Sequence, residues 1–414
     1  MKRSKVAIIG AGPAGCMCAY YSQKENDVTL FEAKSPLHTL LYTGGGRCNL
    51  AHEEYDLKEL AKNYPRGEKF LYSIFSKFST GDTLAFFENI GVKTYTQDDY
   101  RIFPISNSAV EVKNAILKSL SKCSIKKEKV LRILSENNTF KLTTDKDSYE
   151  FDKIVLAVGG HAGFSLAEKL GHTIIEPKPA LVGLITKENL KPLQGVSLKQ
   201  VEAVAVQNSG QKIYLKDDLL FTHEGISGPL AYKISSICAR EDYSQSKPLK
   251  IYLNLLRHAE FISASIAQAN NGKILKQVQD DGVTLWMQSL LNENPKKDVK
   301  NLISDFVPKS LAEFILKQCD IAPDTKCHQI NGQKRDSIYK FLTEFELNIV
   351  SPAKEGEVVT SGGVKLDEIN QKTMESKLVE GLYFCGEVIN VDGFCGGFNL
   401  QNCWSTGFVA GSSI

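Results

Sequence analysis

Short apolar runs, each ended by glycine or by an acid, set the rhythm of both ends of the chain. Val6-Ala7-Ile8-Ile9 is followed at once by Gly10-Ala11-Gly12-Pro13-Ala14-Gly15. Next come Cys16 to Gln23, which read as a helix, and Val28-Thr29-Leu30-Phe31, closed by Glu32. A run that is apolar without alternation predicts a parallel strand buried on both faces. Strand, glycine turn, helix, strand and acid in that order predict the first unit of a Rossmann-like α/β sheet. Phe151 to Val158, ending at Gly159-Gly160, and Gly381 to Cys385, ending at Gly386-Glu387, predict two further strands. Leu400 to Ala410 reads as a closing helix rich in small residues.

The pattern changes in the middle. Leu181 to Ile185 and Val201 to Val206 belong to a stretch, about 181–253, that reads as strands. From about 286 to 325 the spacing is helical, as in Leu311-Ala312-Glu313-Phe314-Ile315-Leu316. Asp56 to Asn89 reads as two helices. The expected organisation is a discontinuous α/β domain, 1–180 with 350–414, around a β-rich insertion, 181–349, that carries a helical subdomain over 286–325. No repeat of fixed period appears.

Composition narrows the function classes. The chain has 414 residues, with a hydrophobic fraction of 42% and a charged fraction of 24%, ordinary for globular domains. A formal net charge of +2 argues against a large nucleic-acid-binding surface as the main role. The basic start Met1 to Lys5 is followed by too short an apolar run for a secretory signal, and no stretch is apolar for long enough to span a bilayer, so the expected location is the cytoplasm. The 10 cysteines show no zinc spacing and no CxxC pair, so no metal site is expected and most of them read as small buried hydrophobes. Cys48, Cys385 and Cys395 fall inside motifs.

Those motifs carry the chemistry. In the first, Gly10 allows a tight turn, Gly12 lets the backbone approach a pyrophosphate, and Gly15 lets helix and strand pack closely. Ala14 belongs to the same turn. The helix N-terminus offers N–H groups and partial positive charge to phosphate, and Glu32 is placed to accept from a ribose diol. The fingerprint alone does not separate FAD from NAD. Thr43-Gly44-Gly45-Gly46-Arg47-Cys48-Asn49 follows, where consecutive glycines can wrap a phosphate or a flavin ring and Arg47 can neutralise it. At the C-terminus stand Gly386-Glu387 and Asp392-Gly393-Phe394-Cys395-Gly396-Gly397-Phe398-Asn399. The helix that follows Gly397 can stabilise negative charge on the pyrimidine end of a reduced flavin, and it can equally be a core helix.

These motifs, with Arg101-Ile102-Phe103-Pro104, Phe221-Thr222-His223-Glu224-Gly225-Ile226-Ser227-Gly228-Pro229, Val359-Thr360-Ser361-Gly362-Gly363-Val364 and Thr373-Met374-Glu375-Ser376-Lys377, run in order over most of the chain. In this the sequence resembles the BaiN-like, or aminoacetone oxidase-like, FAD-dependent oxidoreductases of the glutathione-reductase class. The resemblance implies a Rossmann-like FAD-binding domain with an inserted β-barrel-like domain and a small helical subdomain. It also implies Gly159 beside the cofactor and Glu387 on the ribityl hydroxyls. It implies no firm substrate. Two departures stand out. The loop after Gly159-Gly160 is shorter than in the family, and Arg257 to Gly282 looks like a surface insertion; an ordinary helical hairpin is the alternative.

Only one full dinucleotide fingerprint is present, and no close redox cysteine pair. A Cys385–Cys395 pair or a redox Cys48 stays open. Electrons are therefore expected from the substrate or from NAD(P)H docking transiently, with FAD carrying hydride to or from a small organic substrate. Candidate donors are His223, Arg101 and Tyr100. Around His223 the competing role is to anchor the helix that starts at Gly228-Pro229. A flavin-dependent RNA-modifying or regulatory protein is the rival class, with Lys122 to Lys129 and Lys296-Lys297 as the basic stretches, which also read as solvated faces. A one-domain NAD-binding dehydrogenase is a further rival, with no use for the C-terminal motif.

Overall fold

A computed structural model describes residues 3–136, 139–256, 278–353 and 359–414. Within them the chain separates into two compact units, 1–180 with 359–414, and 181–358.

The first unit is built on a five-stranded parallel sheet. Its order is Leu382–Phe384, Lys153–Leu156, Lys5–Ile9, Asp27–Phe31 and Ser124–Lys126. Val6, Ala7 and Ile8 are fully buried, as their unbroken apolar run requires. The register is pinned at the strand start, where Asp152 accepts from the Lys5 N–H at 2.7 Å. Helix Pro13–Ser22 and the C-terminal helix Phe398–Ser413 pack against each other. Glycine makes that possible: a Cβ on Gly407 would lie 2.5 Å from the Ala14 carbonyl oxygen, and one on Gly411 would lie 2.3 Å from that of Cys18. Buried Trp404 donates to the Leu50 carbonyl at 2.9 Å, tying the last helix to the segment after the glycine triplet.

Smaller antiparallel sheets decorate this frame. Ala51–His52, Arg101–Pro104 and Thr94–Thr96 form one of three strands. Val130–Glu136, Thr139–Thr144 and Ser148–Phe151 form another, and Ile174–Ala180 pairs with Val359–Val364. The stretch expected as two helices over Asp56 to Asn89 holds three: Leu57–Lys62, Glu68–Phe75 and Thr80–Asn89. Gly67, at φ +95°, turns the chain between the first two and leaves no room for a Cβ against Val391.

The second unit contains a closed six-stranded barrel. Around it run Leu184–Thr186, Gly225–Ser227, Lys212–Phe221, Ser197–Val206, Leu249–Asn254 and Phe345–Pro352, the last closing on the first. Leu181, at φ +54°, is a turn residue rather than the start of a strand. Val201, Ala203 and Ala205 face the core while alternate residues face outward. Helices Val278–Glu293, Val299–Ile303, Lys309–Gln318 and Gly332–Thr343 share one apolar core with the barrel. The boundary expected at 349/350 falls at 358/359, because Phe345–Pro352 continues as a barrel strand. The proposed insertion, 257–282, lies almost wholly outside the described residues; only the helix start from Val278 is inside. Among the described residues, no helix is long and apolar enough to cross a membrane, and no cluster of metal-ligating side chains occurs.

Candidate functional site

The glycine turn after the first strand is shaped by contacts that exclude side chains on one side and leave space on the other. Gly10 has φ +101°, and a Cβ there would lie 2.7 Å from the Ala157 carbonyl oxygen. A Cβ on Gly15 would lie 1.9 Å from the Gly10 carbonyl oxygen. Gly12 is the opposite case. It caps helix Pro13–Ser22 without a side-chain hydrogen bond, and nothing lies within 4 Å of where its Cβ would be. That is a backbone cradle open at a helix N-terminus, the arrangement that accepts phosphate. Ala14 does not face this cradle: it is buried, and a Cβ on Gly386 would meet its Cβ at 2.7 Å. Glu32 stands at the rim. Its carboxylate accepts from the Ala11 N–H at 3.0 Å and the Lys34 N–H at 2.9 Å, which fixes its orientation while lone pairs remain for a diol.

Gly44, Gly45 and Gly46 are all in the left-handed region, at φ +57°, +69° and +85°. The space at Gly45 is open, whereas a Cβ on Gly44 would strike Phe103. Arg47 lies over the Phe103 ring at 4.1 Å and donates to the Gly44 carbonyl at 3.3 Å, so the arginine braces the loop. Cys48 offers no side chain to a ligand. It is fully buried, and burial pushes its thiol up to about 12, against a smaller opposing effect of Thr43, so a redox role has no thiolate to draw on.

At the far end of the chain, Gly386, at φ +76°, donates its N–H to Thr406 at 2.9 Å and points the next residue toward Gly159. A Cβ on Gly159 would lie 3.2 Å from Glu387 Oε2. The Glu387 carboxyl has no hydrogen-bond partner among the described residues, and burial, then the Asp392 carboxylate, raise it to about 6. An orphan carboxyl between glycines is the group a polyhydroxylated ligand would satisfy. Asp392 is already engaged elsewhere, because its buried carboxylate is gripped on both oxygens by Arg66. Asn399 likewise serves its own loop, accepting from the Gly393 N–H at 2.8 Å and donating to the Gly393 carbonyl at 2.9 Å. Gly396 and Gly397, at φ +125° and +99°, make the turn into the last helix, and Ala51 blocks any Cβ on Gly397 at 2.4 Å. Phe398 opens that helix and stacks on His52.

Arg101 is paired with Asp99, which its Nε meets at 2.7 Å. Tyr100 is 60% exposed, at φ +62°. His223 lies in the second unit, at an exposed turn between two barrel strands, 3.9 Å from Glu224. Thr222 accepts from the Gly225 N–H at 3.1 Å within the turn, and Ser227, the cap residue of helix Gly228–Ile237, makes no side-chain capping hydrogen bond. The neighbouring Cys18, then burial, drives the Cys385 thiol well above the usual range. Sequence reasoning missed Arg66, His52 and Cys18. None sits in a glycine motif, and the partner of each lies more than 300 positions away.

The profile of the HI0933-like protein Rossmann domain matches residues 4–413. The chain belongs to the HI0933-like family. As a member it is an FAD-dependent oxidoreductase. Two relatives are similar along their whole lengths. The 3-dehydro-bile acid delta(4,6)-reductase of Clostridium scindens is 27% identical over 99% of this chain and 98% of its own length. The ribosomal RNA dihydrouridine synthase of Escherichia coli is 27% identical over 100% of this chain and 98% of its own. A solved flavocytochrome c3 fumarate reductase aligns with 100% of the chain and 78% of its own, at 14% identity and a TM-score of 0.48. The HI0933-like cradle fits FAD on its own geometry. Gly12 and Gly45 leave open space where phosphate and ring need close approach, and Glu387 lacks the donors that a ribityl chain carries.

Proposed function

We propose that this protein saturates a carbon–carbon double bond conjugated to a carbonyl. The observation that carries the proposal is that two relatives, matched over 98% of their own lengths, have names describing one chemistry on different substrates. A Δ4,6-3-oxo bile acid and the uracil ring of uridine both hold a double bond next to a carbonyl. Such a bond accepts hydride at the carbon remote from the carbonyl and a proton at the near one. Bound FAD supplies the two-electron chemistry. The chain's own residues hold and orient. Gly12 and the helix behind it receive the pyrophosphate, Glu32 the ribose, and Glu387 the ribityl hydroxyls. The Gly44–Gly46 and Gly396–Gly397 turns flank the ring. His223 is the proposed proton donor, since an imidazolium can give up a proton near neutral pH and the Arg101 guanidinium cannot.

A small organic enone is the first reading for the substrate. NAD(P)H is the proposed transient donor, because the sequence holds one fingerprint only. The ten cysteines are thiols, which suits the reducing cytoplasm. Uridine in RNA is the second reading, favoured by the dihydrouridine synthases among the relatives. Balanced net charge argues against it.

One experiment separates the possibilities. The flavin of the anaerobic protein is bleached with NADH, NADPH or dithionite, then offered a Δ4-3-oxo steroid acid or a uridine-containing ribosomal RNA fragment. Return of the oxidised flavin spectrum with the steroid supports the first reading, and with the RNA the second. No return with either overturns the proposal. In the same trace, His223→Ala at the wild-type rate removes His223 as donor.

A further inference from the structure

A buried histidine outside every glycine motif clasps the loop that leads into the edge strand of the parallel sheet. His172 follows helix His161–Lys169 and is 3% exposed. Its Nε2 lies 2.8 Å from Ser376 Oγ, and the Phe384 ring packs on it at a steep angle with centroids 4.8 Å apart. Ser376 Oγ also accepts from the Leu378 and Val379 N–H groups, both at 2.9 Å. A hydroxyl oxygen has two lone pairs and one hydrogen. The two backbone donors fill the lone pairs, so the hydroxyl hydrogen goes to His172 and Nε2 is the acceptor. The neutral ring therefore carries its hydrogen on Nδ1, which is buried with no hydrogen bond of normal geometry. The same loop is tied to strand Leu382–Phe384. The Ser376 N–H donates to the Leu382 carbonyl at 2.7 Å, and the Phe384 N–H to that of Met374 at 3.0 Å. That strand runs on into Gly386 and Glu387.

We propose that His172 is an acid-sensitive latch: when neutral it holds the 376–381 loop against the edge strand, and when protonated it lets that loop go. A second ring proton adds at Nε2 and turns the acceptor into a donor. Nε2 and the Ser376 hydroxyl then present hydrogens to each other. The clasp survives only if Oγ drops one of its two backbone N–H groups, which undoes the turn at Leu378–Val379. Burial acts in the same direction, since it lowers the proton affinity of the ring below that of a free imidazole. The groups packed on the ring are few. From the turn Leu366–Glu368 comes the Glu368 carboxylate, which favours the charged ring and itself accepts from the Thr173 N–H at 2.9 Å. From the helix comes the Ala167 carbonyl, a smaller effect of the same sign. In the loop, Glu375 accepts from the Gly381 N–H and Lys377 donates to the Asp367 carbonyl, each at 2.9 Å. Phe384 brings no charge. Burial outweighs Glu368 and Ala167. The neutral ring thus contributes its full stability above the ordinary imidazole value of 6.5, and that stability is lost as pH falls from there through the lowered value of the folded ring.

The test uses the FAD-loaded full chain. Amide hydrogen exchange of residues 376–384 is followed by mass spectrometry between about pH 8 and about pH 5, each rate divided by that of the unprotected peptide at the same pH. Barrel strand Ser197–Val206 is the internal reference. In wild type the normalised exchange of the loop should rise about tenfold or more across that range while the reference stays level. His172→Gln keeps an acceptor for the Ser376 hydroxyl and does not titrate, so its loop should stay protected at every pH. Ser376→Ala should exchange fast at every pH. Histidines labelled with heavy nitrogen report the tautomer, and the neutral His172 ring should show its hydrogen on Nδ1. Wild-type exchange without the rise, His172→Gln exchange that follows wild type, or a neutral ring with its hydrogen on Nε2 overturns the proposal. The first of these needs no variant, so it decides the matter even if His172→Gln does not fold. No reading involves an enone or its proton donor, so failure here and failure of the proposed function are distinct.

Discussion

Replacing Glu387 by Gln should strengthen the empty protein and weaken its hold on FAD. Burial and Asp392 raise the Glu387 carboxyl from the ordinary 4.5 to about 6. A raised acid favours the protonated folded state. The group therefore costs nothing below about pH 4.5, costs progressively more as pH rises toward 6, and reaches its full cost above that. A shift of this size corresponds to about 2 kcal/mol, at about 1.4 kcal/mol for each pKa unit. In the cofactor-free protein at neutral pH, Glu387→Gln should recover part of that, offset by an amide that lacks partners as the carboxyl did. Hydroxyl donors from FAD reverse the balance, because a carboxylate that accepts them gains about 1.5–3 kcal/mol per bond. The variant should thus lose about tenfold or more in FAD affinity at neutral pH while its apo form melts no lower than wild type. Wild-type affinity should also fall with acidification through about pH 6, since the protonated Glu387 carboxyl is a weaker acceptor than the carboxylate. Fluorescence titration of FAD at about pH 5 and about pH 8, with thermal melts of both apo proteins, measures each quantity. Wild-type affinity that is flat across that range, with Glu387→Gln binding as tightly as wild type, would refute the placement of Glu387 on the cofactor.

Two contrasts test other parts of the site. Gly15→Ala forces a Cβ to within 1.9 Å of the Gly10 carbonyl and should destabilise by roughly 3 kcal/mol or more in denaturant unfolding, whereas Gly12→Ala, with nothing within 4 Å, should leave stability within about 0.5 kcal/mol and reduce FAD affinity. Equal stability losses in the two would show that the open side of the turn is misassigned. Arg66→Met strands the buried Asp392 carboxylate and should cost roughly 3–5 kcal/mol, and Arg66→Met with Asp392→Leu should recover much of it. A double variant no more stable than the single one would mean that the ion pair is not what holds this loop.

Much of the first unit was legible in order along the chain. Unbroken apolar runs ended by glycine or an acid located four of the five parallel strands, whereas the edge strand Ser124–Lys126 carries no such run; Gly10, Gly12 and Gly15 could be told apart because each answers to a backbone constraint acting over a few residues. The three helices over Leu57–Asn89 were less legible, since Gly67 at φ +95° breaks a helical pattern that periodicity alone carries through. The boundary near residue 350 was missed for a similar reason. Phe345–Pro352 is a strand either way, and only its pairing with Leu249–Asn254 and Leu184–Thr186 assigns it to the barrel.

What the sequence determined by itself was therefore whatever depends on neighbours: strand, turn and helix order, the special backbone at the glycines, and the family that this order marks. Which side chains face a ligand was decided by tertiary contact. Asp392 and Asn399 look like ligand groups in the motif, yet Arg66, 326 positions away, occupies the first and the loop's own backbone the second. His52 carries no local signal, and its Nδ1 meets the carbonyl of Gly396, 344 positions on, only in the folded chain. Local sterics act through covalent neighbours and can be read in one dimension. Charge pairing and burial act through space, and chain order does not record them.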